Sequence, residues 1–125
     1  MIFLLFVILF FIIVTNITKV KSSPVYLESL IKETHKYSGI HPDLYGSFLT
    51  NMNMAKDNME HVFEAREYTE LAVKDLNEIA LYFIDIDPDT QDELASLGDK
   101  ILKEIERLLV EEANNRNIVF RPKYI

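Results

Sequence analysis

Three acids at alternate positions, Asp85, Asp87 and Asp89, form the pattern in this chain that most resembles metal-binding chemistry. A calcium loop also needs Gly at its sixth position and a bidentate Glu at its twelfth. Counted from Asp85, those positions hold Thr90 and Ser96, and the register that starts at Asp87 fails in the same way. The acids are instead typical of a capped helix start, so the sequence predicts no calcium site.

The histidines His35, His41 and His61 are the other candidate metal ligands. None of them stands at the i,i+4 spacing of a zinc-binding helix or within a Glu-x-x-His motif. The chain has no Cys, which removes disulfides, thiolate ligands and a thiol nucleophile together. A Gly-rich phosphate loop and a nucleophile elbow are missing as well. We therefore expect no metal, no cofactor, no small-molecule substrate and no enzymatic activity.

Carboxylates at helical spacing form a second pattern, which we name the acidic ridge. Its members are Glu60, Glu64, Glu67, Asp75 and Glu78. Paired carboxylates that perform acid–base catalysis need burial and a cleft that separate their pKa values. A solvated helix face explains the spacing better than a catalytic pair does. As a binding surface, the ridge suits a basic protein partner, and Glu60, Glu64 and Glu67 are its candidate partner-binding residues.

The C-terminal tail, residues 118–125, is a further candidate binding element. Phe120 and Tyr124 alternate with the basic residues Arg121 and Lys123, and no helical pattern runs through them. An extended segment of this composition can add a strand to a partner, which makes Phe120 and Tyr124 candidate contacts. Two alternatives stay open at this point, namely that the tail packs onto the body or that it is disordered.

Charge is distributed unevenly along the 125 residues, whose net charge is −7. Residues 43–112 hold eighteen acids and six bases, whereas the rest of the chain holds two acids and seven bases. The length allows a single domain. An acidic body matches a phosphate backbone poorly, so we expect no nucleic-acid partner.

Residues 1–18 carry no charged side chain, and the first fourteen are all apolar. As a helix they span about 27 Å, close to the ~30 Å hydrocarbon core of a bilayer. Lys19 and Lys21 follow directly, so residues 1–20 are predicted to form a single-pass anchor in the lipid bilayer, with the body on the cytosolic side. The alternative is a signal peptide cleaved near Ser22, which would yield a secreted, soluble helical binding protein.

The body, residues 21–117, is predicted to be all-α, because apolar residues recur in steps of three and four. The predicted helices lie at about 24–38, 42–85 and 88–115. The short connection between the last two folds them into a hairpin. The expected fold is thus an N-terminal transmembrane helix followed by an elongated antiparallel helical hairpin or three-helix bundle. The second helix is favoured as continuous or gently kinked, although three Asn and one Asp in residues 51–58 allow a break.

The third predicted helix has a clear amphipathic pattern. Its apolar stripe consists of Leu94, Leu97, Ile101, Ile105 and Leu108, and its outer face is assigned Asp99, Lys100, Lys103, Glu104, Glu106, Arg107 and Glu111. Arg66 falls within the apolar stripe of the second helix. There it either reaches an acid of the third helix or a partner, or extends its charged end to solvent. A hairpin this thin buries little core, so we expect a protein partner or self-association.

One resemblance accompanies these patterns. An N-terminal apolar segment followed by the stretch from His41 to Met52, HPDLYGSFLTNM, at the head of a long helix resembles small uncharacterised membrane proteins encoded by large DNA viruses. The resemblance implies a component of the virion's internal membrane or of infected-cell membranes. It supplies no functional residues. The sequence as a whole predicts a membrane-anchored structural or interaction protein.

Overall fold

The computed structural model describes residues 25–125. The predicted anchor, with Lys19 and Lys21, lies outside the described residues. Within them, every regular element is helical, and none of these helices has the length and apolar character needed to cross a membrane. The elements are α1 (Val25–Glu33), a short 3-10 helix (Thr34–Tyr37), α2 (Pro42–Asp57), α3 (Val62–Leu81) and α4 (Pro88–Asn115).

The structure corrects the prediction of one helix over residues 42–85. The chain turns at residues 58–61, so that α2 and α3 are separate helices and the described part holds four packed α-helices instead of three. Asn58 ends α2, and its side-chain amide donates to the Met54 carbonyl at 2.7 Å. The apolar spacing continues through the turn because α2 and α3 each bury an apolar face. The low helix propensity of Asn allows the chain to reverse direction between them.

The four helices run up, down, up and down around one core, with α1 beside α4. In pairs of residues that are in contact, the residue numbers increase along one helix as they decrease along its neighbour, so neighbouring helices are antiparallel. The contacts are Glu28–Lys56 between α1 and α2, Thr34–Tyr45 between the 3-10 helix and α2, Ser47–Asp75 between α2 and α3, Val73–Gly98 and Arg66–Glu106 between α3 and α4, and Lys36–Glu93 between the 3-10 helix and α4.

The predicted apolar stripe of α4 is confirmed. Its five members are all buried, and Ile101 is completely inaccessible to solvent. Gly98 lies within the same helix, where a Cβ atom would come 3.0 Å from a Val73 methyl group. A glycine here therefore lets α3 and α4 approach closely.

Local signals set the ends of α4. Asp87 caps its start by accepting from the Thr90 amide at 3.3 Å, as the sequence predicts. At its other end Asn117 adopts a positive φ of 57°, a left-handed conformation that Asn tolerates. The amide of Ile118 then donates to the Ala113 carbonyl at 2.9 Å. This closing motif turns the chain back, so the tail runs along the bundle.

Candidate functional site

The exposed half of the acidic ridge lies at the start of α3. Glu60, Glu64 and Glu67 are all exposed. Glu60 stands 3.7 Å from Arg116 and 3.7 Å from His61, whereas Glu64 and Glu67 have no ion pair within the described part of the chain. These two carboxylates are therefore solvated charges, which keeps them accessible to a basic partner.

The other half of the ridge takes part in packing. Asp75 is half-buried and accepts hydrogen bonds from Ser47 Oγ at 2.7 Å and from the Asn51 amide at 3.3 Å, which ties α2 to α3. Glu78 is half-buried as well and lines a shallow depression with Leu44. The five carboxylates of the ridge therefore share one helical spacing, but three of them are exposed and two are half-buried.

The tail packs onto the bundle, which is one of the two alternatives that the sequence leaves open. Phe120 is buried, with 9% of its surface exposed. Its ring centroid lies 5.5 Å from that of Phe63, and the guanidinium carbon of Arg66 lies 4.0 Å from the centre of its ring. In this arrangement Phe120 contacts α3, so it can contact a partner only if the tail leaves the bundle.

Tyr124 and Lys123 hold the end of the tail to α3 through Glu70. Tyr124 Oη donates to the Glu70 carboxylate at 2.5 Å, and Lys123 Nζ does so at 3.0 Å. Burial raises the pKa of Glu70, but these hydrogen bonds and the charge of Lys123 together leave it below its ordinary value. Burial and the Glu70 carboxylate raise the pKa of Tyr124. Both groups thus keep the protonation states that the contact needs at neutral pH.

A buried ion pair lies beneath the tail. Arg66 donates to Glu106 through Nε at 3.1 Å and through Nη2 at 2.7 Å, and Glu106 is 1% exposed. The Lys123 backbone amide also donates to Glu106, and Arg66 donates to the Arg121 carbonyl at 2.6 Å. Of the alternatives that the sequence leaves open for Arg66, the structure shows the one in which it reaches an acid of the last helix.

The sequence assignment of Glu104 and Glu106 to an exposed outer face is wrong. Both are buried, Glu104 against Arg107 of the same helix and Glu106 against Arg66. The signal that could have placed Glu106 is Arg66 itself, because an arginine in an apolar stripe calls for a carboxylate opposite it. Pairing residues outward from the connection between α3 and α4 leads from Arg66 to about this position.

Helix capping accounts for two groups that we considered as metal ligands. His41 Nδ1 accepts a hydrogen bond from the Leu44 amide at 3.1 Å at the start of α2, and the Asp87 carboxylate accepts one from the Thr90 amide at the start of α4. Within residues 25–125, no three His, Cys, Asp or Glu side chains come together in a way that could hold a metal ion. The described residues offer no basis for naming a cofactor ligand.

The exposed carboxylates and the docked tail lie on the same helix. Phe63 and Leu71 of α3 are about half exposed beside them. This part of the surface combines solvated carboxylates with separate apolar side chains. No protein-family model, curated protein sequence or solved structure matches the chain.

Proposed function

We propose that the protein is a membrane-anchored helical interaction protein without catalytic activity, whose bundle presents the exposed half of the acidic ridge, Glu60, Glu64 and Glu67, to a basic protein partner. The observation that carries the proposal is the exposure of Glu64 and Glu67, which have no ion pair in the described residues, beside Phe63 and Leu71. Carboxylates of this kind attract a basic surface at long range, and the apolar side chains supply contact area on arrival.

The residues at the start of the bundle support the proposal of a membrane anchor. Val25 and Tyr26, the first described residues, are exposed, and Tyr26 lines a shallow depression with Lys100 and Lys103. Tyr and Lys side chains suit the headgroup region of a bilayer. This composition fits a bundle whose entry side faces the membrane to which residues 1–18 would attach it.

The viral resemblance supplies a setting for the proposal, as a component of a viral or infected-cell membrane. A secreted binding protein, released by cleavage near Ser22, is the second candidate. The observation that favours it is that residues 25–125 enclose a core among themselves. In both cases the bundle offers the same acidic surface to a partner.

Orientation tests the anchored form. Replacing both Lys19 and Lys21 by Glu is expected to place the C-terminal body on both sides of the membrane, because these lysines provide the positive charge next to the apolar segment. Protease digestion of sealed vesicles, followed by detection of a C-terminal tag, measures the fraction on each side. Lys74→Glu is the control, since Lys74 is exposed on α3, lies far along the chain from the apolar segment and does not line the depression beside Tyr26. Unaltered accessibility in the Lys19/Lys21 variant would contradict the predicted orientation.

A further inference from the structure

One end of the bundle exposes a group of large apolar side chains, which we name the apolar tip. Its members are Ile40, Leu81, Tyr82, Ile84 and Ile86. Their exposed fractions range from 40% for Ile40 to 80% for Ile86. Single exposed apolar residues are ordinary, but a group at one place on a small domain marks an interaction surface.

The tip is one surface although it comes from two connections. In an up-down-up-down bundle, the connection from α1 to α2 and the connection from α3 to α4 lie at the same end. The rings of His41 and Tyr82 stand 5.5 Å apart and join them. A shallow depression lined by Leu44, Glu78, Leu81 and Tyr82 continues the surface onto the sides of α2 and α3.

The backbone holds these side chains outward. Phe83, at the centre of the α3–α4 connection, packs against the core. Its carbonyl accepts from the amides of Ile86 at 3.1 Å and Asp87 at 2.9 Å, and Asp87 in turn caps α4. Ile84 and Ile86 are therefore presented by a hydrogen-bonded turn, which lowers the entropy cost of binding through them.

Charge identifies the kind of partner that covers the tip. Residues 75–99, which include the connection, contain eight acids and no Lys or Arg, and Lys36, from the other connection of the tip, is already paired with one of these acids, Glu93. Asp85, Asp87 and Asp89 alternate with the apolar residues at the tip, and all three are exposed. Two tips would repel each other, and an anionic bilayer would repel either. The fitting partner combines apolar side chains with Lys or Arg.

We propose that the apolar tip is a docking site for a basic amphipathic helix of another protein. An apolar face of that helix would lie over Leu81, Ile84 and Ile86, and its flanking Lys or Arg residues would lie near the aspartates. The proposal rests on the interaction role proposed above and adds a second surface, at the end of the bundle farthest from the tail.

The test uses the full-length protein in nanodiscs of neutral lipid and a fluorescent 18-residue helix of Leu and Lys with one apolar face. Fluorescence anisotropy measures its Kd. Replacing both Ile84 and Ile86 by Ser is expected to weaken binding at least about tenfold, because the variant removes two apolar contacts while the acids stay. Val119→Ser is the matched control, since Val119 is as exposed as Ile86 but lies in the tail. Its Kd is expected to stay within about twofold of the original.

Further arms of the experiment distinguish the apolar tip from the acidic ridge and from self-association. A scrambled peptide of the same composition is expected to bind at least about tenfold more weakly, and raised salt is expected to weaken binding of the intact helix. A Kd that is unchanged by the Ile84/Ile86 variant overturns the proposal. If replacing Glu60, Glu64 and Glu67 by Gln removes binding instead, the acidic ridge is the site and the proposed function stands without the tip. Light scattering tests self-association. If the protein forms dimers that dissociate in the Ile84/Ile86 variant, the tip binds a second copy of this chain, and the proposal of a helix from another protein is overturned.

Discussion

Replacing Ile101 by Asp is expected to lower the free energy of unfolding by about 4 kcal/mol or more. Ile101 is completely buried in the stripe of α4 that packs against the rest of the core. The substitution removes an apolar side chain and places a carboxylate in a core whose buried residues, within 25–125, include no Lys or Arg. For a domain of about a hundred residues, a loss of this size lowers Tm by at least about 15 °C. Thermal unfolding followed by circular dichroism measures it.

Ser96→Asp is the control for this prediction. Ser96 lies on the same helix but is exposed, so the same new charge is expected to change stability by less than about 0.5 kcal/mol. Ile101→Val, which keeps the site apolar, is expected to cost about 1 kcal/mol. Unchanged unfolding of the Asp variant would contradict the packing of α4 against the other helices.

Breaking the buried ion pair between Arg66 and Glu106 is expected to have the second largest effect. Arg66→Ala leaves the Glu106 carboxylate buried without its cation, which costs about 3–5 kcal/mol in such pairs. The same change removes the contact with the Phe120 ring and the hydrogen bond to the Arg121 carbonyl. Denaturant unfolding measures the loss of stability. The rate of carboxypeptidase digestion, which is expected to rise, measures the release of the tail.

Lys103→Ala provides the matched control on α4. Lys103 pairs with Asp99 at 2.9 Å, but both side chains are more than half exposed, so less than about 1 kcal/mol is expected. If Arg66→Ala costs no more than Lys103→Ala and the tail is digested at the original rate, the ion pair neither stabilises the bundle nor holds the tail.

Parts of the fold that depend on local patterning could be predicted from the sequence. The stripe from Leu94 to Leu108 is buried as its spacing predicts, because a helix with one apolar face has only one way to hide it. Asp87 caps α4 for an equally local reason, since its carboxylate needs only the amides of the next turn. The all-α class follows from many such signals along the body.

The features that the sequence did not reveal depend on tertiary contacts. The turn at residues 58–61 keeps the apolar spacing on both sides, so periodicity alone cannot distinguish one helix from two antiparallel ones. Glu106 is buried because Arg66 and the tail cover it, and neither is near it in sequence. For the candidate site, the exposure of Glu64 and Glu67 follows from their spacing on α3, whereas the docking of Phe120 depends on Phe63 and Arg66.

The intact mass of the C-terminally tagged protein, taken from membranes washed in alkaline carbonate, tests the central claim of an anchored interaction protein most directly. Carbonate removes peripheral proteins and leaves membrane-spanning ones in the pellet. We expect the full-length mass in the pellet, with residues 1–18 retained. A product that begins near Ser23 in the soluble or secreted fraction would contradict the anchor and establish the bundle as a released protein.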